Sequence, residues 1–220
     1  QYKNPEGVNV IDVDVTSMYP SIMIKHGIFS RNSVGLDAFK DIFYTRVALK
    51  KAKDPKQSAY KLILNATYGS MGSKFYEFAD PMMRTTVCIY GQLYISALME
   101  MLHKAGYKLV QVNTDGVMFE DNGTDDWKDI CKKWEERTLL GLENITYTHF
   151  YQRDVNNYRA VNEYGEVTNR GIFNATTNQP PFISKLLPKL LDNTLSDDIT
   201  EGLEVWDFVH ILSVKGSRLS

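Results

Sequence analysis

Only two cysteines occur in the 220 residues, Cys88 and Cys131, far apart and outside any CxxC spacing. Neither a disulfide framework nor a thiolate zinc knuckle is therefore available, and a reducing, cytoplasmic setting is expected, the host cytoplasm for a viral protein. Histidine is almost as scarce. His26, His103, His149 and His210 show no HxxxH or HExxH spacing, which argues against a zinc site or a histidine general base. No apolar run approaches the roughly 20 residues of a membrane-spanning helix. The start, Gln1-Tyr2-Lys3-Asn4-Pro5, has no signal-peptide core, so no membrane partner is expected, and the missing initiator Met suggests a fragment or a processed product. An excess of one charge is lacking too. The 25 Lys and Arg against 27 Asp and Glu leave a net charge of −2, so no overall basic charge announces a nucleic-acid partner.

What remains is ordinary globular composition, 43% hydrophobic and 24% charged, enough for one or two cores. Val8 to Val15 alternates apolar and polar residues in a β-branched run and reads as a strand, on which Asp12 and Asp14 share a face. It breaks at Thr16-Ser17-Met18-Tyr19-Pro20-Ser21, where Pro20 suits the first turn of a helix. Residues 40–53 and 57–70 read as two helices joined at Asp54-Pro55-Lys56, an antiparallel hairpin. From Lys40 to Lys74 the local charge is +6, whereas Asp192 to Asp207 carries −6. A long apolar helix is expected from Pro81 to Lys104. Two strands should follow around Asn113-Thr114-Asp115-Gly116, with Asp-Gly as the turn signal. Residues 125–140 form an amphipathic surface helix, and 158–173 a hairpin turning at Glu163-Tyr164-Gly165. The Pro180-Pro181 stretch marks a domain edge. Trp127, Trp134 and Trp206 are expected to pack in cores or helix seams.

Two constellations carry chemistry. Asp14 and Asp115 each lie beside an apolar strand at a sharp turn, where a sheet presents side chains to a cleft. For any single Asp beside a turn, capping is the ordinary role. Two brought together repel unless a cation joins them, and hard oxygen ligands suit Mg²⁺. The second constellation pairs Arg46 and Lys50 on one helix with Lys61, Asn65 and Tyr68 on the next. These spacings put each set on one helix face, a cradle for a polyphosphate. Lys51, Lys53 and Lys56 belong to the solvated face. Glu partners at helical spacing are missing, so the charge asks for an anionic ligand.

These residues form a pattern. Asp14-Val15-Thr16-Ser17-Met18-Tyr19-Pro20-Ser21 resembles the first palm motif of family B DNA polymerases, D-x-x-S-L-Y-P-S. Lys61-Leu62-Ile63-Leu64-Asn65-Ala66-Thr67-Tyr68-Gly69 resembles their fingers motif, K-x-x-x-N-S-x-Y-G, and Thr114-Asp115 matches the end of D-T-D-S. Three motifs in the right order make a specific signal. Asn113 and Gly116 depart from the usual Asp and Ser.

The resemblance implies an α+β fold: a palm with an antiparallel sheet backed by helices, a two-helix fingers insertion and a partial thumb. Its boundaries are palm at 1–35 and 73–175, fingers at 36–72, and the start of a thumb at 176–220, as a portion of a phage-like or viral-like enzyme. It implies template-directed addition of deoxynucleoside triphosphates to a DNA primer. Asp14 and Asp115, with the Val15 carbonyl, would hold two Mg²⁺ ions, for which Mn²⁺ can substitute. Ser17, Met18, Tyr19, Arg46, Lys50, Lys61 and Asn65 would bind the nucleotide. Within that set, the main-chain N–H groups from Val15 to Tyr19 would meet the phosphates, and Tyr19 would exclude a 2′-hydroxyl. Tyr68, Gly69, Tyr158 and Arg170 would face the primer-template. Asp12-Val13-Asp14 also reads as the D-x-D site of a nucleotide-sugar transferase, and a noncatalytic nucleic-acid-binding module is a further alternative.

Overall fold

The computed structural model describes residues 1–174, 180–191, 198 and 201–209. The order along the chain is β1 (Tyr2–Lys3), β2 (Val10–Val15), α1 (Met18–His26), α2 (Leu36–Lys51), α3 (Gln57–Ser70), α4 (Pro81–Lys104), β3 (Leu109–Val112), β4 (Gly116–Glu120), α5 (Asp126–Thr138), β5 (Leu142–Asp154), β6 (Asn157–Asn162), β7 (Val167–Asn169) and α6 (Pro181–Leu191). The α+β expectation holds. Two compact units result, one of Asp12–Asn144 and one of Gln1–Ile11 with Ile145–Ser220. Among the described residues no helix is long and apolar enough to cross a membrane.

In the Asp12–Asn144 unit, β4 lies between β3 and β2 and pairs antiparallel with β3, with Val112 opposite Val117. Val117, Met118 and Phe119 are all buried, a run without alternation, and α4 packs on this hairpin. On β2 the alternation is kept: Val13 and Val15 are buried, Asp12 is half-buried and Asp14 is exposed. Asp80 caps α4 by accepting from the Met83 N–H at 3.3 Å, with Pro81 at the first helical position. The helix then buries Val87, Gly91, Ile95, Leu98 and Leu102. A Cβ at Gly91 would stand 3.0 Å from Met18 Cε and 3.5 Å from the Tyr19 ring, so α1 lies close against α4 here. Along α5, Trp127, Cys131, Trp134 and Thr138 form the buried stripe, and Trp134 Nε1 donates to the Tyr94 carbonyl at 2.9 Å.

The basic hairpin begins one turn earlier than its charge pattern indicates and ends α2 at Lys51, because Lys53 turns to φ +54° ahead of Asp54-Pro55. It is thinly packed. Only Phe39 and Arg46 of α2 and Leu64 and Tyr68 of α3 are buried. Elements with so little buried apolar contact open at lower cost than the core.

In the other unit, β1, β6 and β7 join antiparallel pairs, β1 and β6 to β5 and β7 to β6. Buried Asn4 holds the amino-terminal segment: Nδ2 donates to the carbonyls of Val8 (2.7 Å) and Thr148 (2.8 Å), and Oδ1 accepts from the Phe150 N–H at 2.7 Å. Strand β5 has no counterpart among the sequence expectations. Its register shifts between Tyr147 and His149 and again between Gln152 and Asp154, and each shift breaks the period of two that would mark a strand. Helix α6 likewise occupies what reads as a domain edge. Trp206 corrects an expectation, since it lies 75% exposed rather than in a core. The expected thumb over 176–220 lies partly outside the described residues, and His210 lies there wholly.

Truncating Asn4 to Ala leaves the Phe150 N–H without its acceptor. A loss of about 1–3 kcal/mol is expected in urea unfolding, with the slope unchanged. Asp80 gives a pH signature. Hydrogen bonds from the Arg31 side chain and main chain hold its carboxyl well below the usual range. A lowered folded-state pKa stabilises above the unfolded value of roughly 3.9, and the gain disappears as pH falls through the folded value. The melting temperature of Asp80→Asn should lie below wild type at pH 7, and the gap should close in strong acid.

Candidate active site

Asp14 and Asp115 reach one cavity from adjoining segments. Asp14 is the fifth residue of β2, and Asp115 ends the three-residue loop that joins β3 to β4. The Val15 N–H donates to the Asp115 carbonyl at 2.7 Å and fastens one backbone to the other. Burial raises the pKa of Asp14 above the ordinary carboxyl value, the negative charges of Asp115 and Glu143 raise it further, and Lys61 opposes them. Asp12 is pushed up to about 7 by burial, with Asp14 and Asp115 adding to the shift.

Gly116 makes this approach feasible. A Cβ there would stand 2.1 Å from Asp14 Oδ1 and 3.0 Å from the Val13 carbonyl oxygen. The Asp-Gly turn signal in the sequence has a different meaning in the fold. The loop residues are Asn113, Thr114 and Asp115, none has a positive φ, and Gly116 is already the first residue of β4. This glycine serves close packing, not the left-handed turn that Asp-Gly usually marks.

The cavity measures about 410 Å³, and its opposite wall is the basic hairpin, with Arg46 and Lys50 from α2 and Lys61, Asn65 and Tyr68 from α3. Arg46 is only 6% exposed, and burial lowers its pKa. It donates through a terminal nitrogen to Ser17 Oγ, while Nε has no hydrogen-bond partner among the described residues. A buried guanidinium with an unused donor suits an anion. Ser17, just ahead of α1, holds φ +49°, a left-handed conformation uncommon for a residue with a Cβ. The expected main-chain donors narrow: the N–H groups of Val15 and Thr16 are taken by the carbonyls of Asp115 and Gly141, which leaves Ser17, Met18 and Tyr19.

Tyr19 stacks on Tyr68 with ring centroids 4.3 Å apart and planes 25° apart. Tyr68 is fixed from behind by its hydroxyl, 2.8 Å from Cys88 Sγ, and by the Arg84 guanidinium 5.4 Å from its ring. Burial raises the pKa of both phenols.

Other expected residues are not brought to this cavity. Gly69 is exposed, with open space where a Cβ would stand. Tyr158 and Arg170 belong to the other unit, where the Arg170 N–H donates to the Tyr158 carbonyl at 2.8 Å. Asn113 does not line the cavity, and its side-chain oxygen accepts from Gln111 at 2.7 Å. One lining residue went unrecognised in the sequence. Glu143, at the start of β5, accepts from Thr16 Oγ1 at 3.0 Å and pairs with the Lys50 ammonium. Burial pushes its pKa up, but the bonds from Lys50 and Thr16 outweigh this and leave it below the ordinary value.

Among the described residues no three His, Cys, Asp or Glu side chains form a ready metal cage. The donor set is the two carboxylates of Asp14 and Asp115, all hard oxygen. That fits Mg²⁺, which is typically held by one or two carboxylates and completes its shell with water and substrate phosphates.

The family B DNA polymerase of the hyperthermophilic archaeon Pyrobaculum calidifontis superposes on 87% of this chain with a TM-score of 0.64, at 16% identity and over 30% of its own length. The chain has the fold of that portion of the polymerase. Sequence likeness points the same way. DNA polymerase 1 of Pyrococcus abyssi is 23% identical over 74% of this chain and 27% of its own, and DNA polymerase 1 of Sulfolobus acidocaldarius is 25% identical over 98% and 31%. The chain thus spans about a quarter to a third of the length of these three polymerases. No protein-family model matches it. The family resemblance in the motifs is matched by these polymerases.

Gly116→Ala should leave the chain folded but drive the Asp14 carboxylate onto another rotamer, because the clash falls on the far end of that side chain. A crystal structure of the variant checks this, and an unmoved Asp14 would contradict it.

Proposed function

We propose that this chain carries the nucleotidyl-transfer centre of a template-directed DNA polymerase, which joins deoxynucleoside triphosphates to a primer 3′-hydroxyl. The reading is carried by one observation: Asp14 and Asp115 share a cavity whose facing wall presents Arg46, Lys50 and Lys61. Acids on one side and cations on the other suit a substrate with a phosphate chain and a divalent counterion. In the polymerase reading, residues 1–35 and 73–175 form the palm, 36–72 the fingers, and 176–220 begin the thumb.

Asp14, Asp115 and the Val15 carbonyl would hold two Mg²⁺ ions, or Mn²⁺ in their place. Bound there, the ions supply charge neutralisation and a lowered pKa for the primer hydroxyl. The protein's own residues position the substrate. Arg46 offers a planar fork to the triphosphate, and Lys50 and Lys61 offer point charges. The N–H groups of Ser17, Met18 and Tyr19 lie where a helix begins and add main-chain donors. Tyr19, braced by Tyr68, would lie under the sugar and leave no room for a 2′-hydroxyl. Asn65 and Tyr68 would border the new base pair, and Gly69, Tyr158 and Arg170 would contact the primer-template. In phosphoryl transfer such positioning and charge compensation do most of the work. The thinly packed hairpin is suited to closing over the nucleotide.

The D-x-D reading needs Asp12 and Asp14 together, yet Asp115 lines the cavity and Asp12 does not. This favours the polymerase reading.

Asp115→Ala should reduce Mg²⁺-dependent primer extension by about a thousandfold or more while the circular dichroism spectrum stays that of wild type. Extension at an undiminished rate would overturn the assignment.

A further inference from the structure

Glu143 faces the nucleotide cavity, and nucleotidyl transfer leaves it without a task. Its side chain is 51% exposed, it is held by Thr16 Oγ1, and it pairs with Lys50. One turn earlier on α2, Arg46 is held by Ser17 Oγ. Both cations that α2 contributes to the cavity are therefore already engaged by groups on the opposite wall, one by a carboxylate and one by a hydroxyl. Lys61 on α3 has no hydrogen-bond or ion-pair partner among the described residues, so the engagement is particular to α2. A carboxylate oxygen on an ammonium makes the contact that a phosphate oxygen would make, with less charge.

We propose that Glu143 is an internal stand-in for the triphosphate: it holds Lys50 when no nucleotide is present and surrenders it to the phosphates when one enters. The proposal rests on the polymerase reading. It makes Glu143 a positioning residue that acts through Lys50. The clasp joins α2 to Glu143 and, through Thr16, to the turn that follows β2. It also costs affinity, since an incoming triphosphate must displace an anion already in place.

The test is binding of a deoxynucleoside triphosphate in EDTA at low ionic strength, so that no metal-ligand role of Glu143 contributes. Wild type, Glu143→Gln, Lys50→Met and the double variant are compared. Gln keeps the acceptor for Thr16 and removes only the charge. Glu143→Gln should bind about two to five times more tightly than wild type, the range an exposed ion pair is worth. In the Lys50→Met background the same change should have no effect. Unchanged or weaker binding by Glu143→Gln overturns the clasp. Equal tightening with and without Lys50 also overturns it, because general charge repulsion would then account for the effect. In both cases the polymerase reading survives. Absence of binding by all four proteins removes the polymerase reading and the clasp together.

Discussion

Two carboxylates placed side by side repel, and the surroundings of Asp14 and Asp115 are arranged around that repulsion. The Val15 N–H ties one backbone to the other, Gly116 leaves room for the Asp14 carboxylate, and Lys61 supplies an opposing field. None of these removes the repulsion. Partial desolvation separately disfavours the charged form of Asp14, and a third acid, Glu143, adds to the repulsion. An arrangement so unfavourable to the isolated chain makes sense where a cation is to be received, because the penalty becomes binding energy once positive charge arrives.

The facing wall has the converse character. A buried Arg46 and two lysines crowd positive charge on a hairpin with little core of its own. The two walls attract across the cavity, and the Glu143–Lys50 pair is where that attraction closes in a direct contact. In the proposed function the acids would fix the reacting geometry, and the lightly anchored cationic hairpin would adjust as a substrate enters.

Much of this was legible in the sequence, for local reasons. Period-two alternation put Asp12 and Asp14 on one face of β2. Helical spacing put Arg46 with Lys50, and Lys61 with Asn65 and Tyr68. Each of those relations spans a few residues and obeys one period. What escaped is long-range or irregular. Glu143 meets Thr16 across 127 positions, and nothing near Glu143 marks it. Strand β5 hides behind two register shifts, each of which resets the alternation. Gly116 was visible but carried the wrong message, because a glycine required by a neighbouring carboxylate looks the same in sequence as one required by a turn. Trp206 stands exposed although its type favours burial, and nothing in the structure accounts for it.

Ser17 occupies a backbone conformation that glycine would adopt with less strain, yet its hydroxyl is what Arg46 grips. The two demands on this position conflict, and the side chain prevails. The turn between β2 and α1 and the buried guanidinium of α2 are thus fixed through a single residue, so any change at Ser17 reaches both at once.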